Sequence, residues 1–200
     1  MAEFIDGLEA LAPIAPAVSV FGSTRIEADD PAYAAAEQIG RLLAQHGYAV
    51  MTGGGPGVME AANKGAYEAG GVSVGLNIDL PQQQNPNRYL TKLVNFQHFF
   101  VRKVMFVKHS LAFVILPGGH GTLDELFDSV TLIQTKKIEP FPVILVGGDY
   151  WDGLVGWLRD PVMKQGRIGA DELSIIKIAQ NPEEVIQIIK EASLPEPRTP

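Results

Sequence analysis

Short, continuously apolar runs, each separated from the next by a stretch of helical pattern, constrain this chain more than any other feature. AVSVF (17–21), YAVMT (48–52), VSVGLN (72–77), LAFVILP (111–117) and FPVILVG (141–147) carry few polar residues, and SIIKIA (174–179) closes the series. A strand with one wet face alternates apolar and polar residues, so runs that are apolar throughout belong to strands covered on both faces. The intervening PAYAAAEQIGRLLAQHG (31–47) has Pro31 at its start and Gly47 past its end, the expected punctuation of a helix. PGVMEAANKGAYEAGG (56–71) is a second helix, and others are expected at about 97–109, 121–134, 150–164 and 182–191. Strands alternating with helices give a doubly wound α/β fold, a mainly parallel sheet with helices on both faces. One domain over 17–192 is expected, with an N-terminal lead (1–16, a helix or arm) and a Pro-rich tail (193–200). The polar segment DLPQQQNPNRY (79–89) reads as the longest loop.

Bulk properties remove several functions. The 200 residues are 46% hydrophobic and 20% charged, enough for a substantial core. A net charge of -7 without a Lys/Arg cluster argues against binding a nucleic-acid polymer, though not against a small anion held by local donors. The absence of cysteine excludes disulfides and thiolate metal sites, and the four histidines lack metal-ligand spacing. MAEFIDGLEA is acidic and lacks a signal-peptide core, and no apolar run reaches the roughly 18 residues of a membrane span, so a cytoplasmic protein without a membrane partner is expected.

Glycine clusters fall where the strands end. GSTR (22–25), GGGPG (53–57) and GGHGT (118–122) each leave an apolar run, on the rim where open α/β sheets bind ligands. A helix N-terminus offers unpaired N–H groups to an anion, and glycines let the backbone approach it closely. Each cluster alone also suits a tight strand-to-helix connection; three on one rim favour a site. A Walker loop is absent. The dinucleotide fingerprint fails too, because the first turn is GSTRIE and the second run ends in Thr52 and glycines rather than an acid.

The polar residues beside these turns stay ambiguous at this level. Thr122 and Glu125 have the spacing of a capping box, in which the Glu only closes the helix start; the alternative is an acid facing a ligand. Asp124 reads as a first-turn acid, and Glu60, after GGGPG, as a helix-stabilising acid or a ligand to a hydroxyl. Arg102 has Phe99, Met105 and Phe106 around it at helical spacing, with His98 and His109 on roughly the same face; it either reaches solvent or meets an anion or carboxylate in a site. Lys103 faces another way, and His120 reads as a rim residue.

Together these segments resemble one family. PGGHGTLDE (117–125) matches the PGGxGTxxE signature of the LOG (lonely guy) family, once labelled lysine decarboxylases, and FGSTR (21–25), TGGGPGVMEAAN (52–63) and Arg102-Lys103 occur in that family's order. The resemblance covers about residues 15–190. It implies a Rossmann-like phosphoribohydrolase that cleaves the N-glycosidic bond of nucleoside 5′-monophosphates, AMP or cytokinin riboside monophosphates, to free base and ribose 5-phosphate. It further implies Arg102 and Glu125 as the catalytic pair and Gly118, Gly119, Gly121 and Thr122 as the phosphate cradle. Gly22, Ser23, Gly54, Gly55, Glu60 and Lys103 would line the nucleotide site. No metal or other cofactor is implied. A homodimer or larger homo-oligomer is, with the Arg102 helix near the subunit interface. The GSTR and GGGPGVMEAAN variants are closer to a broad bacterial branch than to the plant enzymes, which makes plain AMP the safer substrate. Glu125 is expected ionised beside the positive helix end. A non-catalytic nucleotide carrier or sensor is the competing function. A pyridoxal-phosphate decarboxylase is a third, but nothing distinguishes Lys64 or Lys103 as a Schiff-base lysine.

Overall fold

The computed structural model describes residues 2–79 and 85–193. In chain order its elements are α1 (Ala2–Leu11), β1 (Ala17–Phe21), α2 (Pro31–Gln45), β2 (Ala49–Thr52), α3 (Val58–Glu68), β3 (Ser73–Ile78) and β4 (Lys92–Phe96). There follow α4 (Phe99–His109), β5 (Ser110–Ile115), α5 (His120–Gln134), β6 (Val143–Val146), α6 (Asp149–Trp157), α7 (Ala170–Leu173), β7 (Ile176–Ala179) and α8 (Pro182–Ala192). The seven strands form one sheet in the order β4-β3-β2-β1-β5-β6-β7, and every neighbouring pair is parallel.

Alternation along the strands divides the core into two layers. Phe21, Met51, Leu76, Phe113, Ile115 and Leu145 face one side, where Met105, Phe106, Leu126 and Trp151 from α4, α5 and α6 cover them. Val20, Val50, Val114, Ile144 and Val146 face the other, against Ile39 and Leu43 of α2, Ala62 of α3 and Ile189 of α8. This double burial is why the strands read as continuous apolar runs. It also bears out the parallel, doubly wound architecture.

Three elements differ from the sequence expectation. β4 falls where no strand was expected: it is an edge strand whose residues alternate between half-buried and exposed, so it lacks the continuous apolar signal. The helix expected over 150–164 is α6 followed by a π-helical segment, Leu158–Met163, where Pro161 has no N–H to continue the α-helical ladder. Third, α5 begins at His120 rather than 121, with Gly119 as its N-cap. The tail expected at 193–200 lies outside the described residues beyond Ser193, as do residues 80–84 of the loop expected at 79–89.

Winding reverses between β1 and β5. The chain runs outward through β2, β3 and β4, then returns to place β5 against the other edge of β1. The carboxyl ends of these two adjacent strands therefore open onto one crevice. On the far side of the sheet α2 and α3 approach so closely that a Cβ on Gly65 would lie 1.9 Å from the Glu37 carbonyl oxygen, and one on Gly40 2.0 Å from that of Ala62. Replacing Gly65 by Ala forces the helices apart. The expected loss is about 1–3 kcal/mol, the usual cost of overpacking, measured as a lower urea midpoint with an unchanged m-value.

Candidate active site

The crevice at the switch point is a cleft of about 630 Å³, within the usual size of a small-molecule site. Three turns supply its polar rim. Gly22 to Arg25 leave β1, Gly53 leaves β2, and Gly119 to Thr122 form the start of α5. Phe21, Met59, Ile78, Phe99 and Phe106 form its apolar wall, and Arg102 and Glu125 face into it. A wider groove of about 1050 Å³ lies behind α4, at the amino ends of β5 and β6, lined largely by Val104, Val107, Leu132, Pro140 and Phe141. The smaller cleft is preferred because its polar groups converge at the carboxyl ends of the strands.

Backbone contacts lock the turns together. The Ser23 N–H donates to the Pro117 carbonyl at 2.9 Å, and the Val58 N–H donates to the Ser23 carbonyl at 3.0 Å. The β1 exit is thereby tied to both the β5 exit and the start of α3. Gly22 packs under Val58, where a Cβ would come within 2.6 Å of a valine methyl. A Cβ on Gly118 would lie 2.1 Å from the Thr122 hydroxyl. At Gly119 and Gly121 a Cβ would meet nothing within 4 Å. Those two glycines border open cleft beside the first turn of α5, where N–H groups lack intrahelical partners and the helix dipole favours an anion.

The capping-box reading of Glu125 does not survive. With Gly119 as N-cap, Thr122 is the third residue of α5 and Glu125 the sixth, too far along to reach back to the cap N–H. Glu125 is instead only 5% exposed, and among the described residues its carboxylate accepts no hydrogen bond. Burial pushes its pKa up to about 7, a rise that the charges of Lys103 and Arg102 oppose and those of Asp124 and Asp128 reinforce. This corrects the expectation of a carboxylate held ionised by the helix end. The dipole acts mainly within the first turn, and one turn farther in desolvation wins.

Arg102 enters the cleft from α4. Its Nη2 lies 3.9 Å from Glu125 Oε1, within ion-pair range but too long for a hydrogen bond. Nη1 reaches the Leu76 carbonyl only at 3.5 Å, and the buried Nε has no partner among the described residues. The guanidinium stands over the rings of Phe99 and Phe106, at 5.5 and 5.7 Å from their centroids. Burial draws its pKa below the usual value, against the pull of Glu125 and Asp124. A desolvated cation with most of its donors unused, beside a desolvated acid, is poised for a ligand rather than for structural bridging.

The remaining predicted residues separate. Gly22, Ser23, Gly119, Gly121 and Thr122 line the cleft and Gly118 backs it, but Gly54, Gly55, Glu60 and Lys103 lie outside its lining. Gly54 and Gly55 are held from behind, where the Asn87 side chain donates to their carbonyls at 3.2 and 3.1 Å. Their neighbour Gly53 is the glycine that reaches the cleft. Glu60 sits half-buried in the first turn of α3. Lys103 pairs with Asp124 at 2.9 Å and Asp128 at 3.5 Å, so it acts on Glu125 only through its field. Lys64 pairs with Glu37 at 2.9 Å. His120 does line the rim; His98 caps α4 and pairs with Glu3 instead of joining Arg102. The apolar wall, Met59 and Ile78 above all, was missed by sequence reasoning because such residues are indistinguishable from core.

The chain is similar to several known proteins. A family model described as "Possible lysine decarboxylase" matches residues 59–189, well over half of the chain. The cytokinin riboside 5′-monophosphate phosphoribohydrolase of Mycobacterium tuberculosis is 29% identical over 157 residues, 76% of this chain and 82% of that protein. Its counterpart LOG3 of Arabidopsis thaliana is 29% identical over 163 residues, 78% of this chain and 74% of that protein. Among solved structures, the molybdenum cofactor binding protein from Rippkaea orientalis superposes with a TM-score of 0.63 at 28% identity, over 88% of this chain and 96% of that one.

The Glu125 shift has a consequence for stability. Its folded pKa, about 7, lies above the ordinary 4.5, so the folded state binds the extra proton and loses stability as pH rises from 4.5 through 7. Glu125→Gln, which mimics the protonated acid, is expected to raise the urea unfolding midpoint at pH 8, with the gain shrinking towards pH 5.

Proposed function

The chain belongs to this family, that of the LOG proteins, and from that premise we propose that it hydrolyses the N-glycosidic bond of nucleoside 5′-monophosphates, AMP in the first instance, to free base and ribose 5-phosphate. One observation carries the reading: a buried acid and a buried arginine stand 3.9 Å apart in a cleft that is also lined by the glycine turn at the N-terminus of α5. A binder needs only the turn. A carboxylate held in a desolvated wall with no hydrogen bond from the described residues and only a long ion pair destabilises the fold, and is expected where chemistry uses it.

On this reading the 5′-phosphate rests on the N–H groups around Gly119 to Gly121 with the Thr122 hydroxyl beside it. That anchor fixes C1′ of the ribose relative to Glu125 and lowers the entropic part of the barrier. As the C1′–N bond breaks, positive charge grows on the ribose ring, and an ionised Glu125 stabilises it. The same carboxylate takes a proton from the water whose oxygen bonds to C1′. The departing base leaves with the bonding electrons and is protonated from solvent, and Arg102 polarises it or orients Glu125. The apolar wall of Met59, Ile78, Phe99 and Phe106 suits the face of a nucleobase. Pyridoxal chemistry does not fit, because among the described residues no lysine lines the cleft. Phe100 and Val104 on α4, with Leu111 at the start of β5, are exposed apolar side chains that support assembly into a homo-oligomer as part of the same reading.

The competing reading is a carrier without catalysis, favoured by the likeness to the Rippkaea orientalis molybdenum cofactor binding protein. Incubation with AMP and with adenosine separates the two. Adenine released from AMP alone supports the hydrolase; saturable binding of AMP with no adenine supports the carrier. Glu125→Gln is expected to lower kcat by about 10²–10⁴.

Because Glu125 works ionised, kcat/KM should rise as pH increases from 6 to 8, with a midpoint near 7. That lies above the second ionisation of a phosphate monoester at ~6. A profile that falls over this range would show Glu125 acting as a proton donor instead.

A further inference from the structure

Tyr150 lies outside the cleft, in the first turn of α6, and was singled out neither by the family signature nor by the sequence pattern. Its hydroxyl donates to the carbonyl oxygen of Gly118 at 2.7 Å, across 32 residues of chain. We propose that Tyr150 is the positioning residue of the phosphate cradle: by holding the Gly118 carbonyl on the α6 side, it keeps the Gly119 N–H turned into the cleft.

The Gly118–Gly119 bond is trans, so its carbonyl and the N–H that follows point in opposite directions. Tyr150 takes the carbonyl and is not among the residues that line the cleft, whereas Gly119 is. The N–H must then point towards the space where an anion would settle. A peptide between two glycines has little steric resistance to flipping. Flipped, it would present a carbonyl oxygen to the phosphate and exchange an attraction for a repulsion. Among the described residues no other hydrogen bond fixes this plane: the neighbouring Pro117 carbonyl is held by Ser23 N–H, and the Gly119 carbonyl by the N–H groups of Thr122 and Leu123.

The fold delivers Tyr150 to this position. Gly147 and Gly148, with φ of 115° and 39°, turn the chain sharply after β6. The Trp151 indole N–H donates to the Val146 carbonyl at 3.0 Å, and the Tyr150 ring meets the Trp151 ring edge-on at 4.9 Å. Tyr150 is 54% exposed, so its phenol contributes little to the core.

The proposal rests on the reading of the turn as a phosphate cradle, and two measurements on Tyr150→Phe separate the fates of the two ideas. Kinetically, KM for AMP should rise roughly three- to tenfold, the worth of one hydrogen bond, while kcat stays within about twofold and the melting temperature is unchanged. Spectroscopically, the Gly119 amide resonance of the unliganded protein should shift or broaden in the variant. An unchanged KM in an active enzyme overturns the proposal, and so does an unperturbed Gly119 amide. If the wild-type protein releases no base, the hydrolase reading fails, and the amide resonance alone still decides whether Tyr150 holds the peptide.

Discussion

Because winding reverses between β1 and β5, two adjacent strands end side by side with no crossover lying over them. Every other feature of the site answers to that gap. The exits of β1 and β5 meet there beside the turn that carries β2 into α3, and a Cβ at Gly22, Gly57 or Gly118 would clash with its neighbours. The same crowding aims the start of α5 at one point in space and places Arg102 of α4 and Glu125 of α5 on its border. Packing requirements of an α/β sheet thus create the rim to which the proposed function assigns an anion, before any catalytic demand is imposed.

What the rim does with an anion depends on an electrostatic imbalance. Glu125 would be more comfortable with a full ion pair, yet Arg102 stops at 3.9 Å and Lys103 is engaged by Asp124 and Asp128. Without a hydrogen-bonding partner among the described residues, the buried carboxyl group has its pKa pushed up to about 7 by desolvation. Arg102 is under-used in the same way, with a buried Nε that finds no acceptor among the described residues. Each group is destabilising by itself, and a substrate carrying both a phosphate and a ribosyl bond would satisfy the two together.

Much of this was legible in the sequence, and the illegible part has physical causes. AVSVF and LAFVI announce strands buried on both faces, and Gly-rich exits mark the ligand rim, so the sheet and the location of the cleft could be read directly. β4 could not, because an edge strand such as KLVNF pairs on one side only and mixes Lys92 and Asn95 with its apolar residues. Glu125 was ambiguous because a capping box and a catalytic acid share one spacing; only the register of the α5 start, fixed by Gly119, separates them. The GGGPG turn was placed correctly but its cleft-facing member is Gly53, since Asn87 ties Gly54 and Gly55 down from behind. Tyr150 lay hidden in DYWDG, where an exposed tyrosine has no periodic signal and its partner is 32 residues away.

The proposed function requires that a phosphate at the start of α5 present the ribose C1 carbon to Glu125. A crystal structure of the protein with ribose 5-phosphate tests it most directly. The predicted result has the phosphate oxygens within hydrogen-bond distance of the N–H groups of Gly119 to Gly121, and the C1 carbon facing the Glu125 carboxyl group with Arg102 alongside. A phosphate bound away from the α5 start, or a sugar turned with C1 away from Glu125, would contradict it.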